Sequence, residues 1–250
     1  MRQTLSAGKP RTLLQRIGRV VVGGFAALFA SVSYVWITAP DVRTLATSRP
    51  TETAFMRMRR EQALTAGRTP RVVQRWIPYN QISGTLKRAV LVTEDAAFWT
   101  HDGLDYAEIR ASIEQSWARG TPMRGASTIT QQLAKNLYLS PSRNPYRKVT
   151  ELFIARRLEA ELTKARILEL YLNVIEWGDG IWGAGAAAET YFGVSAGALS
   201  PEQAALLAGS IFNPIELNPG KPNKRLLQRQ QMILRRMGEV AVPQGPSSMK

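Results

Sequence analysis

The sequence predicts a mainly α-helical domain that follows one N-terminal membrane-spanning helix. Three observations predict this class. A run without charged residues extends from Val20 to Pro40, the apolar period is helical from Ile82 onward, and helix-start signals divide that region into separate helices. No segment has a convincing alternating strand pattern, so any sheet is expected to be a small hairpin. The 250 residues, 44% of them apolar, allow one sizeable domain with its own core plus an appendage.

The apolar run is predicted to be a membrane anchor over residues 20–40. A helix of about 20 residues matches the hydrocarbon thickness of a bilayer. Residues 1–19 contain five basic and no acidic side chains. The positive-inside rule therefore places this basic N-terminus in the cytoplasm and everything after Asp41 on the other side of the membrane. A cleaved signal peptide is the alternative, although the run is longer than the usual apolar core of such a peptide and no A-x-A motif ends it.

The exported part is strongly basic. The chain has 33 basic and 19 acidic residues, and removing the five basic residues of the N-terminus leaves 28 against 19. Such a surface suits an anionic partner. Export argues against nucleic acid, so phosphate groups and lipid headgroups remain. The sequence contains no cysteine, which excludes a disulfide scaffold and thiolate metal sites.

Residues 41–81 are predicted to be a juxtamembrane connector with at most one short helix. Prolines recur through it, and its arginine-rich stretch at 56–60 lies where it could touch lipid headgroups. A solvated linker explains the same composition equally well.

Residues 82–238 are predicted to form successive helices bounded by cap and turn residues. The first ends near Glu94, and the second runs from Asp105 to Arg119 and stops at Gly120. Three later helices begin with an N-cap signal, either Thr or Ser with Gln three residues later, or Asn before Pro. They begin at Thr128, at Asn144–Pro145 (through Leu162) and at Ser200; a last helix covers roughly 223–237, and 239–250 form a loose tail.

The segment EDAAFWTHDG, residues 94–103, concentrates polar side chains where helix packing does not require them. Glu94 follows the apolar stretch AVLVT, so its carboxylate is expected to leave a buried helix end and enter a cleft. An apolar setting raises the pKa of a carboxyl group towards the value that a general base needs. His101 is the only histidine of the chain, and a lone histidine is more often a structural hydrogen-bonding residue than a catalyst.

Two further polar clusters are less specific when each is taken alone. GASTITQQLAKN, residues 125–136, opens a helix with hydroxyl and amide side chains, where free backbone N–H groups favour anions. RKVTE, residues 147–151, places two cations on the same side of a helix as Glu151. A capped helix start and a surface ion pair explain these clusters better while they are considered singly.

Together, these segments resemble the defining motifs of glycosyltransferase family 51, the peptidoglycan glycosyltransferases. In order they read EDAAFWTHDG, GASTITQQLAKN, RKVTE, KARILELYLN from Lys164 and WGDGIWGAGAAAETYFG from Trp177. The resemblance covers about residues 80–238, with no departure inside a motif. It implies a lysozyme-like helical glycosyltransferase domain at 82–238 after one N-terminal transmembrane helix. Only about 50 residues follow the motifs, too few for a second catalytic domain, so a monofunctional member without a transpeptidase domain is expected.

The resemblance implies polymerisation of lipid II into β-1,4-linked glycan strands, with inversion and release of undecaprenyl pyrophosphate. Glu94 is expected to be the catalytic general base on the acceptor hydroxyl, with Glu151 as a second functional carboxylate that orients cations or holds a metal. The expected substrate-binding residues are Asp95, Phe98, His101, Ser127, Thr128, Gln132, Lys135, Asn136, Arg143, Arg147 and Lys148.

The resemblance also bears on cofactors, partners and location. It leaves open a divalent cation, Mg²⁺ or Mn²⁺, at Glu151. The expected partners are lipid II, the growing lipid-linked strand and the membrane; division or elongation proteins are left open, and nucleic acid is not expected. The expected location is the bacterial inner (cytoplasmic) membrane, single-pass, with the N-terminus cytoplasmic and the catalytic domain periplasmic.

Two alternative functions belong to other classes. A peptidoglycan hydrolase also combines a helical fold with a catalytic glutamate. Lys135 and the RKVTE segment argue against it, because a hydrolase has no pyrophosphate to neutralise. A non-catalytic, membrane-tethered scaffold for cell-wall or division proteins is the second alternative.

Overall fold

A computed structural model describes residues 13–121, 125, 127–139 and 145–239. Within these ranges the chain forms ten α-helices, two short 3-10 helices and three short strands, so the predicted mainly α class is confirmed. The helices are α1 (Leu13–Thr38), α2 (Ala54–Thr65), α3 (Gly84–Glu94), α4 (Tyr106–Arg119), α5 (Ile129–Tyr138), α6 (Pro145–Glu161), α7 (Lys164–Val174), α8 (Gly183–Phe192), α9 (Pro201–Ser210) and α10 (Lys224–Glu239). The strands are β1 (Val73–Gln74), β2 (Glu176–Gly178) and β3 (Ile181–Trp182).

The chain divides into two compact units after Ala39, and α1 belongs to the first. Its segment Ile17–Thr38, 22 residues, is long and apolar enough to cross a membrane. α1 starts at Leu13, before the predicted anchor, because residues 13–19 contain no proline and can continue the helix. It ends before Pro40, which disfavours helix at the preceding residue. Length and composition of this kind fit a membrane anchor and also a signal sequence.

The segment predicted to be a connector, residues 41–81, is part of the second unit. Val42 and Leu45 belong to its hydrophobic core, and α2, the one short α-helix of this segment, buries Met56. Arg59 on α2 donates from Nε to Glu176 at 2.8 Å. Burial raises the pKa of Glu176, and Arg59 acts in the opposite direction. Residues 41–81 are therefore folded against the domain by apolar burial and a long-range ion pair.

The predicted helix boundaries in the second unit agree with the structure to within two residues where it describes them: α6 ends at Glu161 rather than Leu162, and α10 extends to Glu239, into the predicted tail. α3 ends at Glu94, and α4 has Asp105 as its N-cap and ends at Gly120, whose φ is +60°. α5 and α9 begin with complete capping boxes at Thr128 and Ser200. The predicted N-cap of α6, Asn144, lies outside the described residues.

The expected small hairpin is present and gains a third strand. β2 and β3 pair antiparallel, and β1 pairs with β3 in parallel, with Val73 opposite Ile181. Gly180, in the turn between β2 and β3, has a φ of +68°, and a Cβ there would lie 2.3 Å from the carbonyl oxygen of Arg71. Only glycine lets the two backbones approach this closely.

The core brings the C-terminal end of α3 next to α5. α3 packs against α9 and α10, while α5 packs against α6 and α7. α7 lies deep in this core, with Ile167, Leu168, Leu170 and Leu172 each 0% exposed. Full burial of one such side chain stabilises the fold by about 1.5–3 kcal/mol. This packing positions the polar groups at the ends of α3 and α5 against one another.

Candidate active site

Glu94 is the last residue of α3 and lines a cleft of about 370 Å³. The buried face of the helix, which includes Leu86 and Val90, faces the core. Asp95 leaves the helical conformation, with φ −166° and ψ 81°, so the helix stops directly after Glu94. The carboxylate therefore emerges from a buried helix end into a cleft, the placement expected from the apolar stretch before it.

A hydrogen-bonded chain connects Glu94 to the protein core. Gln132 on α5 donates from Nε2 to Glu94 Oε2 at 2.9 Å and lies 3.4 Å from the carbonyl oxygen of Ser127. Its other amide atom, Oε1, accepts a hydrogen bond from the hydroxyl of Tyr171 at 2.8 Å. Tyr171 lies on α7 and is 0% exposed. The orientation of the Gln132 amide is therefore set from the core side of the cleft.

The electrostatic setting of Glu94 suits a proton acceptor. Burial raises the pKa of its carboxyl group above the ordinary value of 4.5. The hydrogen bond from Gln132 lowers that pKa, followed by the charges of Arg229 and Lys135. Because burial is the largest of these influences, the carboxylate binds a proton more readily than an exposed glutamate. A general base needs this property.

Asp95 and His101 connect the segment after α3 to the start of α5. Asp95 is 8% exposed, and its carboxylate accepts from His101 Nε2 at 3.0 Å and from the backbone N–H of Ile129 at 2.9 Å. The Nδ1 atom of His101 accepts from the backbone N–H of Gly103. Nε2 therefore carries the proton that it donates to Asp95. Both residues, expected at the wall beside Glu94, make their hydrogen bonds inside the protein.

Phe98 supports the same wall from within the core. It is 0% exposed, and the ammonium group of Lys164 lies 4.5 Å from its ring centroid. Lys164 also donates to Glu159 at 2.8 Å, and Glu159 accepts from the hydroxyl of Thr130. The ring is thus enclosed by a partly buried ion pair and does not itself face the cleft.

The hydroxyl and amide residues at the start of α5 occupy different environments. Thr128 is 3% exposed; its hydroxyl donates to the carbonyl oxygen of Gly103 and accepts from the backbone N–H of Gln131. Asn136 is 8% exposed and donates to the carbonyl oxygen of Gln132. Ser127 lines the cleft. Thr128 lines the same cleft, and of the polar residues expected to bind substrate here, Gln132 contacts Glu94 directly.

A cationic cluster lies on the first turns of α6. Glu151 is 3% exposed; one of its oxygens accepts from Arg147 at 3.2 Å and the other from Lys148. Lys148 also lies 3.2 Å from the hydroxyl oxygen of Ser127. The side chains of Arg147 and Lys148 remain 25% and 47% exposed. Arg143, expected to join them, lies outside the described residues.

Lys135 connects the cationic cluster with Glu94. Burial lowers the pKa of its ammonium group, and the charges that act on it come from Glu151, Arg147, Lys148 and Glu94. The one side chain therefore lies within electrostatic reach of both the carboxylate in the cleft and the α6 cluster. Glu94 and Lys135 are 41 residues apart in the sequence, and Gln132, one helical turn before Lys135 on α5, joins this helix to Glu94 by a hydrogen bond.

The residues around Glu151 fit a cationic cluster better than a metal site. Both carboxylate oxygens are paired with cations. Across the described ranges, no three His, Cys, Asp or Glu side chains are grouped so that they could hold a metal ion. The cation that the resemblance leaves open at Glu151 therefore stays a prediction, and no chemical step is assigned to it.

Three residues that line the cleft or act on Glu94 and its hydrogen-bond partner were not predicted from the sequence: Tyr171, Arg229 and Arg236. Tyr171 lies inside KARILELYLN, but nothing in that pattern tells which side chain its hydroxyl reaches. Arg229 and Arg236 lie seven residues apart on α10 and so share one face. Arg236 lines the cleft, and Arg229 donates to the carbonyl oxygen of Gly209 at 2.9 Å. That helical spacing is a signal from which the two arginines could have been found.

Comparison with known proteins shows the family of this chain. A sequence model of a family described as transglycosylase matches residues 61–238. A protein named biosynthetic peptidoglycan transglycosylase from Nitrosospira multiformis is 44% identical over 194 residues, which are 78% of this chain and 84% of that protein. Proteins of the same name from Laribacter hongkongensis and Thiobacillus denitrificans are each 42% identical, over 89% and 93% of this chain and 98% and 99% of their own length. The chain therefore belongs to the transglycosylase family, whose members of this kind are glycosyltransferases of peptidoglycan synthesis.

Proposed function

We propose that this transglycosylase polymerises lipid II into β-1,4-linked glycan strands, with Glu94 as its general base and with inversion at the donor carbon. The observation that carries the proposal is the position of Glu94. It is a carboxylate of raised pKa in a cleft, and Lys135 links it electrostatically to a cationic cluster. Such an arrangement provides a proton acceptor and an anion site for one reaction.

The general base acts on the acceptor. Glu94 removes the proton from the 4-hydroxyl of the N-acetylglucosamine of incoming lipid II as that oxygen attacks the anomeric carbon of the donor N-acetylmuramate. The new C–O bond forms on the face opposite the α-linked pyrophosphate, so the product linkage is β. The proton taken up by Glu94 then passes to water.

The leaving group departs as an anion. The bond between the anomeric carbon and the phosphate oxygen breaks, and undecaprenyl pyrophosphate leaves with the electron pair. Lys135, Arg147 and Lys148 stabilise the negative charge that develops on it. Glu151 holds Arg147 and Lys148 in place through its two oxygens, so no second carboxylic acid is needed.

The location of the substrate agrees with an anchored enzyme. A polyprenyl chain stays in the bilayer, since each buried methylene contributes about 0.8 kcal/mol to its retention. We assign α1 the role of a single-pass anchor in the inner membrane, with a cytoplasmic N-terminus and a periplasmic catalytic domain. An enzyme confined to that surface meets its lipid-linked donor and acceptor by diffusion in two dimensions. Further partners of the division or elongation machinery would meet it at the same surface.

Glu94→Gln tests the proposal in the full-length protein with purified, labelled lipid II. The amide keeps the shape and cannot accept the proton, so the rate of polymer formation should fall about 100- to 10,000-fold. Glu114→Gln is the matched control, because Glu114 is 65% exposed on α4 in an ion pair with Arg110. Full polymerisation by Glu94→Gln would contradict the assignment of the general base. Release of fragments from sacculi without polymer from lipid II would instead indicate a hydrolase.

A further inference from the structure

Tyr171 is the buried end of the hydrogen-bonded chain that leads to Glu94. Its hydroxyl donates to Gln132 Oε1 at 2.8 Å, and burial raises the pKa of that hydroxyl well above its usual value of 10.0. The hydroxyl therefore stays protonated and remains a donor at every pH at which the enzyme would be assayed. Because the Tyr171 hydroxyl is a donor, the carbonyl oxygen of the Gln132 amide, Oε1, must face it.

The amide orientation decides what Gln132 offers to Glu94. With Oε1 directed towards Tyr171, the Nε2 group is directed towards Glu94 Oε2 at 2.9 Å and towards the carbonyl oxygen of Ser127 at 3.4 Å. Rotation of the amide by 180° would place Oε1 against the Glu94 carboxylate, where two acceptors repel one another. Besides the contact with Glu94, two contacts favour the observed orientation, and the one with Tyr171 is shorter by 0.6 Å than the one with Ser127.

We propose that Tyr171 is a positioning residue of the reaction: it fixes the Gln132 amide so that Nε2 donates to Glu94 and keeps the general base ionised despite its burial. The proposal rests on the proposed function of Glu94. It assigns a task to a hydroxyl that is otherwise an isolated polar group in an apolar core. Tyr171 itself does not touch the substrate.

Besides the hydrogen bonds from Tyr171 to Gln132 and from Gln132 to Glu94, several charged groups act on Glu94. The test proposed below alters none of these charged groups. Asp95 adjoins Glu94 at the end of α3, Lys135 faces it from α5 and Arg229 from α10. Three more charged side chains line the cleft: Asp105, Glu108 and Arg236.

Tyr171→Phe removes the hydroxyl and keeps the ring. Without the donor, the amide is oriented only by its contacts with Glu94 and Ser127, and the ionised form of Glu94 loses part of its stabilisation. The midpoint of the acidic limb of kcat/KM for lipid II polymerisation should move to higher pH by about one unit. The rate on that limb falls about tenfold, while the plateau above it stays near that of the wild type. The midpoint of the limb does not depend on how much of the protein is folded.

Two further variants separate positioning from a merely structural effect. Gln132→Met should move the limb in the same direction, and Tyr171→Phe added to it should move the limb no further, because the hydroxyl acts only through the amide. Tyr191→Phe is the matched control: its hydroxyl donates to the carbonyl oxygen of Trp177 at 3.1 Å, remote from this chain. It should lower Tm and leave the limb in place.

The results for Tyr171→Phe test the positioning role of Tyr171, and the results for Glu94→Gln test the proposed function, so failure of one can be told from failure of the other. If Glu94→Gln abolishes polymerisation but Tyr171→Phe leaves the limb unmoved, or lowers the rate equally at all pH values, Tyr171 has no positioning role. If Glu94→Gln keeps full activity, the proposed function fails first. Should Tyr171→Phe alone not fold, folding of the double variant would support the proposal, since the hydroxyl would then serve only the amide. A double variant that is also unfolded would overturn it.

Discussion

The surroundings of Glu94 and the cluster on α6 differ in how much they are exposed, and the difference follows from their proposed tasks. Glu94 is surrounded by side chains that hydrogen-bond within the protein, and burial raises the pKa of its carboxyl group. Arg147 and Lys148, by contrast, keep 25% and 47% of their side chains exposed and share one buried anchor, Glu151. A proton acceptor gains from an apolar setting, whereas cations that bind a pyrophosphate must remain charged and reachable. Lys135 is partly buried, and its ammonium group is acted on both by Glu94 and by the charges of the cluster on α6.

After Glu94→Gln, the largest loss of activity is expected from substitution of Glu151, which holds the two exposed cations. Glu151→Gln leaves Arg147 and Lys148 without the charge that holds them together, and the two cations move apart. A displacement of about 1 Å at such a site can lower kcat/KM by about 100-fold, so we expect a loss of about 10- to 100-fold in lipid II polymerisation. Glu161→Gln at the exposed end of α6 is the control and should have little effect.

The same variant distinguishes the two tasks of Glu151 that the sequence leaves open. If Glu151 orients cations, the defect of Glu151→Gln should be equal with chelator and with added Mg²⁺ or Mn²⁺. Rescue of the variant by excess metal would show that Glu151 is a metal ligand instead.

A smaller loss of activity, together with a loss of stability, is expected from the buried region. Asp95→Asn can no longer accept from both His101 and the backbone N–H of Ile129 as a carboxylate does. The free energy of unfolding should fall by about 1.5–3 kcal/mol, the contribution of a hydrogen bond to a charged group. Thermal unfolding of the full chain in detergent measures this. Asp41→Asn, which loses only an exposed pair with Arg43, should leave Tm nearly unchanged; an equal fall in both variants would contradict the buried role of Asp95.

The smallest effect on activity is expected from Arg229→Met. The charge of Arg229 lowers the pKa of Glu94. Without that charge the pKa rises further, so the acidic limb of kcat/KM should move to higher pH, by about half a unit. Arg225→Met is a close control for Arg229→Met, because both guanidinium groups lie over the ring of Phe212, at 5.3 and 5.1 Å from its centroid. A shift of equal size in both variants would point to the packing of Phe212 rather than to the charge at Glu94.

The local features of this fold could be predicted from the sequence because they depend on near neighbours. The capping boxes at Thr128 and Ser200, the end of α4 at Gly120 and the pairing of Arg147 with Glu151 all lie within four residues along the chain. The emergence of Glu94 from a buried helix end followed from the apolar stretch before it.

The long-range contacts could not be predicted in this way. The contact between Tyr171 and Gln132 joins residues 39 apart, and the pair between Arg59 and Glu176 joins residues 117 apart. The first depends on how α5 and α7 pack, and the second on how α2 lies against β2. For the same reason the sequence does not indicate that the hydroxyl of Thr128 is used inside the protein, or that Phe98 lies behind the cleft wall.

The pH dependence of lipid II polymerisation by the unmodified protein tests the role of Glu94 most directly. A general base must be ionised, so raising its pKa moves the loss of activity in acid to higher pH. We predict an acidic limb in kcat/KM with a midpoint above 4.5, the ordinary pKa of glutamate. In the same profile, a basic limb below 10.5 would reflect Lys135, whose pKa burial lowers. A rate that stays constant as the pH falls to 4.5, with the protein still folded, would contradict the assignment of Glu94 as the general base.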